Sequence, residues 1–237
     1  MRRPPDDERH RDRPVILWGI TGGLVLAGAL IGPVPAFAHE HFWVHMVQHL
    51  LVMLVAAPLI LLSAPVTRVL RATRGRTRFR LAAVLRSRPF RVVSHPLVTW
   101  GLFALVMWVT HFSPIYQLAV DDEVVHLAEH SAYLVAALLF WTPVIGLDPA
   151  RHKLSWPVRI AYLLLALPLQ SFLGLALYSS ERPLYAAYPS LDDQRLGALI
   201  MWIGGDLLFV FAVALAVGGW MRAETKEAER IDKALGV

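Results

Sequence analysis

The chain has 237 residues, 56% of them hydrophobic, a mean hydropathy of +0.50 and a formal net charge of +5. Apolar runs near 20 residues in such a composition read as a membrane protein. Without cysteine there is no disulfide, iron–sulfur cluster or thiolate metal site, and arginines clustered between apolar runs read as membrane orientation, with no nucleic-acid role.

Residues 1–14 are polar and basic and read as a cytoplasmic tail. The first apolar run covers 15–37 and is long enough to span. A rival reading takes it as a signal peptide, with Ala36-Phe37-Ala38 as the cleavage site and His39 as the mature N-terminus. The second span is expected over 44–64. Residues 65–94 form a loop with nine arginines, either solvated or carrying a short interfacial helix around Phe79, Leu81, Val84 and Leu85. His95-Pro96 opens a third span, 96–111, with proline in the first turn. Further spans are expected over 125–145, 157–178 and 196–220, with a charged tail over 221–237. The expected fold is therefore an all-α, polytopic membrane bundle of about six transmembrane helices. On alternate segments fall 21 of the 23 basic residues, leaving Arg182 and Arg195 opposite. The positive-inside rule then puts both termini and the arginine loop in the cytoplasm.

Seven of the ten histidines fall at the outer side of this topology: His39, His41, His45, His49, His111, His126 and His130. His45, His49 and Met53 recur at i, i+4 and i+8, one helix face, with Met46 beside them. His126 and His130 repeat the i, i+4 pairing at the start of the fourth span. His111 ends the third span, with Met107 one turn below. All lie within roughly 10 Å of the outer interface at 1.5 Å per residue. Ionisable groups inside a membrane are costly and usually functional.

Paired imidazoles on one helix, joined by a ligand from another, can hold a metal. With Met46, Met53, Met107 and Met201 available and no thiolate, the set favours Cu(I). Zinc is the alternative, using histidine with Glu129. The bland reading is that the histidines hydrogen-bond between helices and the methionines fill the core. His126-x-x-Glu129-His130 also matches an inverted zinc-protease pattern, so an intramembrane zinc hydrolase is one alternative function. A haem-binding membrane protein with axial histidines is another. Glu129 can equally orient a histidine. Asp206 and Gln170 fall near mid-membrane, where a lone carboxylate is protonated or paired.

The residues resemble the CtaG-type cytochrome c oxidase assembly factors of bacteria, from about His45 to Gly205. The resemblance rests on His45-Met46-Val47-Gln48-His49 followed by Ala57-Pro58-Leu59 and Pro65. His95-Pro96-Leu97 and Trp108-x-x-His111 with Pro114 and Tyr116 carry it further. It continues through His126-x-x-Glu129-His130, Phe140-Trp141, Asp193-Gln194, Gly197 and Met201-Trp202. The chain departs at Ala57, where a second proline is expected, and has one span fewer than longer members. The resemblance implies a multi-pass factor of the bacterial cytoplasmic (inner) membrane that helps deliver copper to the oxidase catalytic subunit. A periplasmic or extracytoplasmic copper chaperone is a further partner. The expected ligands are His45, His49, Met53, His111, His126 and His130, with Met46, Gln48, Met107, Glu129, Met201 and Asp206 accessory.

Overall fold

A computed structural model describes residues 6–148 and 152–235, all helices, turns and loops. Arg2, Arg3 and Arg151, which enter the charge asymmetry, lie outside the described residues. The described helices are α1 (Asp6–Leu30), α2 (Pro33–Glu40), α3 (Phe42–Leu62), α4 (Pro65–Ala72), α5 (Gly75–Arg86) and α6 (Arg88–Val93), then α7 (Pro96–His111), α8 (Ile115–Asp121), α9 (Glu123–Ile145), α10 (Trp156–Tyr178) and α11 (Leu191–Leu235).

All six expected apolar segments are helical. Four of them, α3, α9, α10 and α11, are long and apolar enough to cross a membrane. The first segment is broken: α1 and α2 meet at 43°. Gly32 takes φ +94°, a conformation glycine adopts without penalty, and Pro33 starts the next helix. Together the pair would make a fifth crossing. At 16 residues α7 is apolar but shorter. Helix begins at Asp6, inside the stretch expected as a tail, and α11 carries the expected C-terminal tail as helix to Leu235.

The central element is α3, packed against α1, α2, α9 and α11. Glycine lets α1 approach closely: a Cβ on Gly22 would lie 2.8 Å from the Ile60 amide nitrogen. α7 packs along α9, and α10 runs beside α11. The third expected span thus reaches α3 through side chains and not along its length. The core is aromatic in its lower half, where Phe103, Phe140, Trp141 and Phe209 stack.

The arginine segment folds as three short helices, α4 to α6, with no buried residue. This exceeds the single interfacial helix expected there. Asp148 fixes the start of α4, its carboxylate accepting from the Thr67 amide at 2.9 Å and the Val66 amide at 3.3 Å. Ala38, next to the suspected cleavage site, is buried, and its carbonyl accepts from the Tyr188 hydroxyl at 2.6 Å. Ala36 and Phe37, on its N-terminal side, are exposed.

Candidate metal centre

The starts of α3 and α9 are fixed by carboxylates, which the exposed amides of a helix N-terminus favour. Asp193, from the first turn of α11, reaches across to α3 and accepts from the Phe42 amide at 2.8 Å and the Trp43 amide at 3.2 Å. Asp122 caps α9, accepting from Val124 at 2.8 Å and Val125 at 3.0 Å. His45 and His49 follow in α3, and His126, Glu129 and His130 in α9. His111 closes α7.

These side chains converge. The Nε2 atoms of His45 and His49 are 2.8 Å apart and share a hydrogen bond. Ring centroids lie 5.3 Å apart for His49 and His130, 5.7 Å for His45 and His126, and 6.0 Å for His49 and His111. Among the described residues, two ligand sets have all their donor atoms within 4.8 Å of one another: His45, His49 and His130; and His45, His126 and Glu129. Nitrogens bound to one ion at about 2.0–2.1 Å lie at most about 4.2 Å apart. Small side-chain movements bring either set to that geometry.

Hydrogen bonding also sets the tautomers. His111 Nδ1 donates to the Met107 carbonyl at 2.7 Å, and His130 Nδ1 to the His126 carbonyl at 3.0 Å. Each neutral ring then directs an Nε2 lone pair inward. Those two Nε2 atoms, His126 Nε2, His49 Nδ1 and both Glu129 oxygens are buried without a hydrogen-bond partner. Buried polar atoms without partners are uncommon, and a metal ion is one explanation for them. The donors present therefore fit a metal.

An aromatic wall covers the centre on the loop side. Tyr116, Tyr185 and Tyr188 pack with Phe42, at centroid distances of 4.1 to 6.3 Å. Tyr185 donates to the His111 carbonyl at 2.9 Å. Burial pushes the phenol pKa values of Tyr116, Tyr185 and Tyr188 up, so the three hydroxyls stay neutral. Tyr133, below His49, bonds Thr110 through its hydroxyl.

Beneath the histidines is a cavity of about 20 Å³, with His49, Met53, Met107, His111, Tyr133 and Met201 in its lining. Two of these methionines sit in π-helical turns, Leu51–Ala56 in α3 and Ile200–Gly204 in α11. A π turn disturbs the carbonyl ladder, and a side chain from a neighbouring helix meets a carbonyl in each. Trp141 Nε1 donates to the Met53 carbonyl at 3.0 Å, and Gln170 Nε2 to the Met201 carbonyl at 2.7 Å.

All six expected ligands fall in this region, as do Met107, Glu129 and Met201. Met46 is buried but is not in the cavity lining. Gln48 turns away and donates to the Ala29 carbonyl at 2.8 Å, bracing α1. Asp206 accepts from Ser171 at 2.7 Å, tying α10 to α11. His39, outside the expected set, meets the His126 ring edge-on, with centroids 5.2 Å apart. The tyrosine wall lies outside the expected site; its traces in the sequence are Tyr116, beside His111 in the resemblance, and the tyrosines of the 179–195 loop. The Glu129 carboxylate lies within 4.8 Å of donor atoms of His45 and His126. A haem macrocycle is far larger than the cavity.

No solved structure matches the chain. Uncharacterised proteins of Mycobacterium bovis and Mycobacterium tuberculosis are each 29% identical to it over 236 residues, covering 92% of this chain and 36% of theirs. An uncharacterised Mycobacterium leprae protein is 25% identical with the same coverage. The chain thus spans about a third of the length of the curated relatives it matches. The model of one family, the cytochrome c oxidase caa3 assembly factors, matches residues 1–223. A match over nearly the whole chain, across all the helices that build the centre, places this protein in the cytochrome c oxidase caa3 assembly factor family.

Proposed function

We propose that this protein handles copper during cytochrome c oxidase assembly, taking Cu(I) at the outer face of the bacterial cytoplasmic membrane and presenting it to the oxidase catalytic subunit. One observation carries the reading: imidazoles from three helices converge with inward-facing, unpartnered nitrogens above a methionine-lined cavity. Imidazole and thioether without thiolate is a donor set for Cu(I). The family supplies the oxidase, and an extracytoplasmic copper chaperone is the natural donor. The proposed topology has six crossings and both termini in the cytoplasm, with the exposed arginines of α4 to α6 at anionic lipid.

The set of His45, His126 and Glu129 suits zinc as well, since two imidazoles and a carboxylate form a common zinc set. Glu129→Gln separates the readings. Under the copper reading it weakens one donor of the His45, His126 and Glu129 set, so the metal is held less tightly but kept by the imidazoles. Under a zinc-hydrolase reading it abolishes turnover. In cells lacking the native copy, a well-expressed His49→Ala, His130→Ala double variant should lose oxidase activity and regain part of it with added copper. Full oxidase activity without added copper would refute the proposal.

A further inference from the structure

We infer that the centre is two metal stations stacked along α3: an outer one of His45, His126 and Glu129, and an inner, Cu(I)-selective one of Met53, Met107 and Met201, with His49 between them. This rests on the copper reading above and adds a path to it.

Distance along the helix requires the division. Met53 follows His45 by eight residues, about 12 Å along the axis at 1.5 Å per residue. Side chains on one helix lean alike toward its N-terminus, so the offset persists at the donor atoms. Ligands on one ion, at about 2.0–2.3 Å from it, are at most about 4.6 Å apart. One ion therefore cannot bind His45 and Met53 together. His49, about 6 Å from each along the axis, is hydrogen-bonded to His45 and also lines the lower cavity.

The inner station has its own construction. Met53, Met107 and Met201 come from three helices and are each at most 4% exposed. Two of them lie in separate π turns, each braced by a polar side chain from another helix. Methionine fills a core gap without distorting its helix, because its side chain is flexible. Two distortions facing one cavity go beyond that, and π turns concentrate at functional sites.

Size and softness then define the cargo. A cavity of about 20 Å³ holds one bare ion or one water. A hydrated divalent ion is excluded, and thioethers do not replace the water shell that Zn(II) would have to give up. Transfer from the outer station is ligand exchange: the copper–nitrogen bonds to His45 and His126 and the copper–oxygen bond to Glu129 give way to copper–sulfur bonds, with no change in oxidation state. Imidazole and carboxylate strip the hydrating waters first, and His49 is the common ligand that passes the ion down.

The test uses the full chain in detergent with Ag(I), a redox-inert stand-in for Cu(I), and Zn(II) as control. Wild type should bind about two Ag(I), and X-ray absorption of the Cu(I)-loaded protein should show sulfur beside nitrogen scatterers. The volume-conserving Met53→Leu, Met107→Leu, Met201→Leu variant should bind about one Ag(I), lose the sulfur signal and keep its Zn(II) binding. The wild-type absorption spectrum needs no variant and guards against misfolding. Nitrogen-only scattering in wild type that nevertheless binds Cu(I) and Ag(I) would overturn the inner station and leave the copper reading standing. No binding of Cu(I) or Ag(I) at all would overturn both.

Discussion

Asp193 should matter to the metal centre although it touches no metal ligand. Its carboxylate holds the Phe42 and Trp43 amides at the start of α3, and His45 follows within the same turn. The first bond is partly buried and charge-assisted, and the second is exposed. Loss of a charged cap of this kind costs about 1–2 kcal/mol, with the exposed bond contributing least. For a chain of this size, that lowers Tm by roughly 2–8 °C. Asp193→Asn keeps one acceptor but loses the charge, so its loss should be about half as large. Thermal unfolding followed by circular dichroism in one detergent measures both variants. Zn(II) binding should also weaken in Asp193→Ala, because the outer station depends on how α3 is seated. An Asp193→Ala protein that melts within about 1 °C of wild type would refute the reasoning.

Other outcomes follow from single contacts. A cysteine at Glu181 should react with an impermeant thiol reagent in intact cells and one at Arg76 should not; labelling of position 76 from outside would overturn the topology. Gly197→Ala would drive its Cβ into the Phe42 ring and should destabilise by about 1–3 kcal/mol, read as a lowered Tm. Tyr188→Phe removes the hydrogen bond to the buried Ala38 carbonyl, at about 1–3 kcal/mol, and should speed hydrogen exchange in α2. Ala64 adopts φ +50° between α3 and α4, so Ala64→Gly should stabilise by up to about 1 kcal/mol; a lower Tm would contradict that.

What the sequence discloses depends on how local its cause is. The spans come from hydropathy, a property of each segment alone, so α7 begins and ends as expected and α9 starts within two residues of its expected start. The i, i+4 histidine pairs are legible for the same reason: helical periodicity fixes their shared face. What escapes is tertiary. The π turns are braced by Trp141 and Gln170 from other helices. His39 reaches His126 only because Gly32 and Pro33 bend the chain. Gln48 sits on the same turn as the histidines, yet it bonds to α1 on the opposite side.

The most direct test is the metal content of the protein extracted from copper-replete membranes without chelators. Wild type should carry at least one copper per chain. The His49→Ala, His130→Ala double variant, with unchanged helical content, loses the His45, His49 and His130 set and the residue that links the two stations, and should carry clearly less. Zinc in place of copper in the wild type, or undiminished copper in the double variant, would contradict the account.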